Sequence, residues 1–174
     1  MNVFLKRQVS RHLLACLAGA LFAVGSAGAA ELQVFTVRSF ADIRQASADR
    51  PLVVAFWSTT CAPCAEEMSV LARLHRTYPA VRVVLVAADG PELRPKVERF
   101  LERYALDSLE TWQFGDDAEE RLRYAVDHAW RGELPRAYFF SATGETSVKS
   151  GVPEESWLTD WFKQANAVAA PPAP

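Results

Sequence analysis

Cysteine is scarce in this chain: three of its 174 residues are cysteine, at positions 16, 61 and 64. Only two residues separate Cys61 from Cys64, and a disulfide between them closes too short a loop to stabilise a fold by itself. A structural zinc ion takes four ligands, and beyond residue 30 the chain adds only His75 and His128 to this pair. The close pair therefore points to thiol chemistry more than to a stapled domain or a zinc site.

Two other features are missing, a surplus of basic charge and a long apolar run. The 19 basic residues are outnumbered by 21 acidic ones, which gives a net charge of −2 with no basic stripe for nucleic acid. The apolar run at 13–24 has 12 residues, whereas a membrane-spanning helix needs about 20. Half of the residues are hydrophobic and 23% are charged, as in one ordinary globular domain.

Residues 1–30 have the pattern of a secretory signal peptide. Lys6, Arg7 and Arg11 precede the apolar run, and small residues follow it up to Ala30. Cleavage is expected before Ala30 or one residue later, with an uncleaved N-terminal tether as the alternative. Without this leader, which carries three basic and no acidic residues, the chain has 16 basic and 21 acidic residues, a net charge of −5. An even pair of cysteines in an exported chain is typical of disulfide chemistry, and we expect a periplasmic location.

Apolar periodicity predicts alternating strands and helices over residues 31–168, followed by a disordered tail at 169–174. Alternation of this kind is typical of an α/β domain with a mostly parallel sheet covered by helices on both faces, and a late hairpin adds antiparallel strands. The predicted strands are 32–37, 52–57, 81–88, 111–114, 137–141 and 146–149. The predicted helices are 39–48 with Ser39 as cap, 63–78, 91–105, one that Asp116 and Asp117 cap and that runs to about Val126, and 154–168.

The cysteine pair lies where a buried strand ends and a helix begins. The positive end of a helix dipole and its free N–H groups favour a thiolate over a thiol. Cys61, at the helix start, gains most from this, and Cys64 lies one turn further in. We therefore expect Cys61 to attack a substrate disulfide and Cys64 to resolve the mixed disulfide. Half of a zinc site and an inert disulfide are the simpler alternatives.

Two stretches carry a resemblance to a known family. Residues 53–68, VVAFWSTTCAPCAEEM, resemble the active-site stretch of the TlpA/ResA-like branch of thioredoxins. A second segment of that family is similar to Tyr124-Ala125-Val126, residues 132–140 and Gly144 of this chain. The likeness spans roughly residues 51–151. The resemblance implies a thioredoxin fold with a central mixed sheet. It also implies an exported thiol–disulfide oxidoreductase without a bound cofactor or metal, of the kind that serves cytochrome c maturation.

The resemblance assigns further residues and partners. Pro135 would be a cis-proline packed against the active-site disulfide. Substrate would be bound around it by Trp57, Thr60, Ala62, Pro63, Leu134 and Arg136. The implied partners are client proteins that carry thiols or disulfides and a membrane thiol protein that donates electrons. We expect the chain to act as a monomer.

The sequence departs from the family in ways that affect the site. Many thioredoxins have a buried acid where this chain has Ala55, so another proton acceptor is needed, and Glu133 is our candidate, with a solvated loop carboxylate as the alternative. Arg136 either points at the site, where its charge would lower the pKa of Cys61, or lies on the surface. Trp130 lies in a lengthened loop, where it either binds a partner or packs against the core.

Other functions remain open at this stage. The same dithiol could run as a disulfide-donating oxidase, because direction depends on the relative stability of the two redox states. Cys61, Cys64 and His128 could bind copper(I) in a copper chaperone of the same fold. A fold used only for protein binding is a third class. The proline before Cys64 favours the reducing direction.

Overall fold

The computed structural model describes residues 31–169. Within that range, six strands and five α-helices alternate as predicted. Their bounds are β1 Gln33–Phe35, α1 Ser39–Gln45, β2 Leu52–Trp57, α2 Ala62–Thr77, β3 Arg82–Ala87, α3 Arg94–Arg103, β4 Glu110–Phe114, α4 Glu119–Val126, β5 Arg136–Phe140, β6 Thr146–Ser150 and α5 Glu155–Ala169. The predicted leader and residues 170–174 of the predicted tail lie outside the described residues.

The strands form one mixed sheet in the order β1-β4-β3-β2-β5-β6. β1, β4, β3 and β2 pair in parallel, whereas β5 and β6 are antiparallel to their neighbours. The antiparallel pairing of β5 on β2 places the start of β5 beside the end of β2. The central mixed sheet with helices on both faces is thus confirmed.

β2 is the strand around which the two cores are built. All six of its residues are buried, and side chains of a strand point alternately to opposite faces. Val53, Ala55 and Trp57 enter the core under α2, α3 and α5. Leu52, Val54 and Phe56 enter the core under α1 and α4. A continuous apolar run is what a strand covered on both faces requires.

Helix boundaries differ from the sequence prediction where proline and capping residues act. A short 3₁₀ turn, Pro91–Leu93, precedes α3. α3 starts only at Arg94, because Pro95 lacks an N–H and fits only the first turn of an α-helix. Ser39 is the first residue of α1 instead of its cap, and its Oγ accepts a hydrogen bond from the Thr36 N–H. α4 begins after Ala118 and has no side-chain cap.

No helix within residues 31–169 is both long enough and apolar enough to cross a membrane.

Candidate active site

The cysteine pair forms the start of α2. Cys61 is the N-cap residue, in an extended conformation, and the helix runs from Ala62 with proline tolerated in its first turn. The two sulfurs are bonded at 2.05 Å, and the Cα atoms are 5.4 Å apart. The Cys61 N–H donates to the Ser58 carbonyl oxygen at 3.1 Å, so the preceding loop turns directly into the helix. The pair therefore lies at the positive end of the helix dipole, as the sequence predicts.

The two sulfurs differ in their access to solvent. Cys61 is partly exposed at the rim, whereas Cys64 has no exposed surface and lies in the core beneath α2. An external thiol or disulfide can therefore reach only Cys61. Cys64 can act only on a sulfur already bonded to Cys61.

The Leu134–Pro135 peptide bond is cis, as the resemblance implies. Pro135 is buried and immediately precedes β5. Arg136 pairs with Phe56, next to the last residue of β2, so Pro135 lies at the end of the sheet from which the chain enters the cysteine loop. The fold therefore brings Pro135 to the disulfide end of the sheet from a distant part of the sequence.

Glu67 is a buried carboxylate that sequence reasoning missed. It follows Cys64 by three residues on α2 and is only 1% exposed. Residues three apart on a helix lie on the same face, with Cβ atoms about 5–6 Å apart. Its Oε1 has no hydrogen-bond partner among the described residues. Burial raises the pKa of Glu67 from 4.5 to about 7, so the carboxyl can take up and release a proton near neutral pH.

The sequence contains a signal for Glu67 in the helical stripe of α2. At 100° per residue, position 67 falls on the buried face with Cys64 and Leu71, whereas Glu66 points outward and is exposed. The position on β2 where many thioredoxins have a buried acid is occupied by Ala55. In this chain the buried acid is Glu67, which lies on α2.

Glu133, our candidate proton acceptor, is engaged elsewhere. Its Oε1 accepts hydrogen bonds from Arg136 and from Ser150, and its side chain is 43% exposed. Partial burial tends to raise the pKa of Glu133. Backbone N–H donors, including that of Arg131, and the charge of Arg136 outweigh burial and keep this pKa below its usual value. A carboxylate with a lowered pKa is a poor acceptor for a thiol proton, so Glu67 fits the role better.

Arg136 takes neither of the two positions considered from the sequence. Its cross-strand partner Phe56 belongs to the core under α1 and α4, so its side chain lies on the sheet face opposite α2. It is 9% exposed and pairs with Asp127 at 2.6 Å and with Glu133. The Tyr138 hydroxyl accepts from its Nε at 2.7 Å. Its charge is therefore neutralised away from Cys61, and a direct contact with substrate is not supported.

The other residues predicted to bind substrate differ in their exposure to solvent. Thr60, Ala62 and Pro63 are exposed beside Cys61, and Leu134 is half-buried before the cis-proline. Trp57 is only 1% exposed and packs on Phe100 with ring centroids 4.6 Å apart. The last residue of a fully buried strand has no free face, so the prediction that Trp57 binds substrate is not supported by its position.

Trp130 belongs to the core. It is 4% exposed, its ring lies 4.7 Å from that of Phe56, and its Nε1–H donates to the Glu133 carbonyl oxygen. Of the two alternatives considered for this residue, packing is the one that the structure supports.

His128 and the cysteines are not brought together as a metal site. Within residues 31–169, no group of three or more His, Cys, Asp or Glu side chains is placed to hold a metal ion. The ring of His128 stacks on Tyr124 with centroids 4.1 Å apart. His75 is half-buried, and its Nδ1 lies 2.8 Å from the Val81 carbonyl oxygen.

Solved structures share the architecture of this chain. A thioredoxin-family thiol:disulfide interchange protein from Chlorobium tepidum matches with a TM-score of 0.56 at 19% identity, over 71% of this chain and 84% of that one. A secreted disulfide oxidoreductase from Mycobacterium tuberculosis matches with a TM-score of 0.54 at 20% identity, over 69% and 85%. Identities this low show the fold alone. The chain has the thioredoxin fold.

Curated proteins resemble part of the sequence. A thiol-disulfide oxidoreductase ResA from Geobacillus kaustophilus is 30% identical over 90 residues, which are 52% of this chain and 48% of that protein. The ResA of Oceanobacillus iheyensis is 31% identical over 98 residues, or 54% and 45%. No protein-family model matches the chain. The chain is similar in sequence to these ResA proteins over part of its length, and it spans about half the length of the curated relatives that it matches.

Proposed function

We propose that the chain is a thiol–disulfide oxidoreductase that reduces disulfides of client proteins outside the cytoplasm. The observation that carries the proposal is the asymmetry of the Cys61–Cys64 disulfide at the start of α2. One sulfur is accessible, the other is fully buried, and a buried carboxyl lies one turn further along the helix. The ResA relatives are named thiol-disulfide oxidoreductases, which supports the reaction class.

The reaction starts from the dithiol form. The Cys61 thiolate attacks one sulfur of the client disulfide, and the other client sulfur leaves as a thiolate. Glu67 then accepts the proton of Cys64, whose sulfur attacks Sγ of Cys61. The bond between Cys61 and the client breaks, and the second client sulfur leaves. The client gains two electrons, the Cys61–Cys64 disulfide forms, and the leaving thiolates take up protons.

The location and partners follow from the leader and from the direction of the reaction. The predicted signal peptide supports a periplasmic site of action, with or without an N-terminal tether. A reductase in that compartment needs a thiol donor to regenerate Cys61 and Cys64, and a membrane thiol protein can supply those electrons. Proteins of cytochrome c maturation are one client class that the resemblance implies.

The test is the reduction potential of the cysteine pair in the chain lacking residues 1–30. Equilibrated against dithiothreitol and glutathione buffers, the pair should show a potential of about −270 mV, as thioredoxin does. A potential of about −120 mV, typical of strong oxidants, would make the protein a disulfide donor instead. If the pair does not titrate reversibly between its two redox states, it is an inert disulfide.

Trapping experiments separate the roles of the two cysteines. Cys64→Ser should accumulate a mixed disulfide with a model substrate through Cys61. Cys61→Ser should accumulate none, because Cys64 is shielded by the core. Equal trapping by both variants would contradict the assigned roles.

A further inference from the structure

A groove opens beside Cys61 on the side of α3. It has a volume of about 800 Å³, and its walls include Cys61 and Ala62 on one side and, on the other, residues of α3 from Lys96 onward together with Tyr104 just after the helix. A polypeptide whose sulfur approaches Cys61 therefore has room to run along α3. The chemistry of that helix face decides which polypeptides fit.

Charges are segregated around α3. At 100° per residue, Lys96, Arg99 and Arg103 fall within one 60° sector, on the flank that faces the groove. Glu98 lies on the opposite flank, where it pairs with Arg94 at 2.9 Å. Glu102 lies between the two flanks and reaches the edge of the groove. The groove therefore holds three cationic side chains against one carboxylate.

These three cations are not neutralised within the protein. All three are exposed, and within residues 31–169 none of them forms a salt bridge. The chain beyond residue 30 carries 16 basic and 21 acidic residues, a net charge of −5. A locally positive groove is thus opposite in sign to the domain that bears it.

An aromatic pair adds an apolar surface to the groove. The rings of Phe100 and Tyr104 lie 4.6 Å apart, and Phe100 packs in turn on buried Trp57. Tyr104 is 39% exposed. A binding segment can therefore lay apolar atoms on this pair while anionic groups meet the cations beside it.

We propose that the groove binds acidic side chains that flank the client's disulfide, so that Lys96, Arg99 and Arg103 select clients by charge. The inference rests on the proposed function and names the substrate class of the same site. Positive charge beside a reaction centre raises the rate of encounter with anionic partners, and salt screens this effect.

The experiment uses two short peptides with one internal disulfide, which differ only in glutamate or glutamine at the positions beside the cysteines. The reduced chain lacking residues 1–30 should react about tenfold faster with the glutamate peptide at low ionic strength. At about 0.5 M salt, the ratio of the two rates should fall below about two. Equal rates at low salt would overturn the inference.

Two variants test whether the groove is responsible. In Lys96→Gln/Arg99→Gln/Arg103→Gln, the ratio of the glutamate rate to the glutamine rate should fall to about one. The matched control is Arg50→Gln/Arg76→Gln/Lys163→Gln, which removes three exposed cations that do not line the groove. It should keep the full preference, and an equal loss in the control would assign the effect to net charge and refute the groove.

A binding measurement distinguishes failure of the groove from failure of the proposed function. A glutamate peptide with serine in place of cysteine is titrated into the oxidised chain, and amide shifts are followed by NMR. Shifts centred on Lys96, Arg99 and Arg103, absent with the glutamine peptide, would support the groove even if neither disulfide peptide were reduced. No such shifts, together with reduction of both peptides at one rate, would leave the oxidoreductase standing and reject the groove.

Discussion

Asp89 holds Thr59 through two hydrogen bonds, one to each oxygen of its carboxylate. The Thr59 N–H donates to Oδ2 at 2.8 Å, and the Thr59 hydroxyl donates to Oδ1 at 2.7 Å. Asp89 is 6% exposed and follows β3, whereas Thr59 precedes Cys61 by two residues. The loop that leads to Cys61 is therefore fastened to the segment that follows the neighbouring strand.

Replacing this acceptor should loosen the loop. Asp89→Ala leaves the Thr59 N–H and hydroxyl without a partner, and we expect a loss of about 2 kcal/mol in the free energy of unfolding. Urea denaturation of the oxidised chain measures it. Asp116→Ala, which changes an exposed aspartate just after β4, should stay within about 0.5 kcal/mol. A loss no larger than in this control would show that the two hydrogen bonds contribute little.

Glu67 should make the stability of the oxidised protein depend on pH. Its pKa is raised from 4.5 to about 7, so the folded state keeps a proton that the unfolded state releases. Stability therefore falls as pH rises from about 4.5 to about 7, by about 3 kcal/mol at roughly 1.4 kcal/mol per pKa unit. Glu67→Gln should remove this decline and be the more stable protein at pH 8.

The matched control for this prediction is Glu66→Gln, because Glu66 is the exposed neighbour on the same helix turn. Unfolding curves between pH 4 and pH 8 should keep the wild-type decline in this variant. If Glu67→Gln also declines over that range, another group is responsible for it.

The cluster around Arg136 should respond to acid in the opposite sense. A backbone N–H from Ala129 and then Arg136 lower the pKa of Asp127 despite partial burial, and the pKa of Glu133 is lowered as well. The stability from these carboxylates is present above about pH 4.5 and is lost as pH falls through their lowered values.

Arg136→Met removes the cation from that cluster. We expect a loss of about 2 kcal/mol at pH 7, less than the 3–5 kcal/mol typical of fully buried pairs, because both carboxylates are partly exposed. The difference in the free energy of unfolding between this variant and the wild type should narrow as pH falls from about 5 to 3. Arg131→Met, at an exposed neighbour, serves as control, and a gap that does not change with pH would contradict the ion-pair account.

Trp130 should matter for stability through packing. Trp130→Ala should cost about 3–5 kcal/mol, as truncation of a buried aromatic does, and Trp130→Phe should recover most of it. Tyr124→Ala, at a residue 61% exposed, should change stability by about 0.5 kcal/mol or less. A small effect of Trp130→Ala on unfolding would instead favour the partner-binding alternative.

The order of elements was predictable because each strand and helix carries its own periodicity. The run 52–57 is buried on both faces and could only be a central strand, and the proline after Ala62 fits the first turn of α2. The place of the cysteines follows directly from these two elements. Local patterns of this kind need no knowledge of the rest of the fold.

What escaped prediction depends on contacts between distant residues. Arg136 could be assigned only once Asp127 and the core around Phe56 were in place. The groove beside Cys61 likewise requires α3 to lie next to the start of α2. Asp89 is separated from Thr59 by 30 residues, and no spacing in the sequence signals their contact.

The position of the buried acid on α2 instead of β2 has a mechanical consequence. Cys64 and Glu67 belong to one rigid turn of helix, so any tilt or slide of α2 during client binding carries donor and acceptor together. With an acid on the sheet, the same movement would alter the distance over which the proton is passed. In the proposed reaction, the distance from Cys64 to Glu67 would therefore stay constant while the surface around Cys61 adapts to clients of different shape.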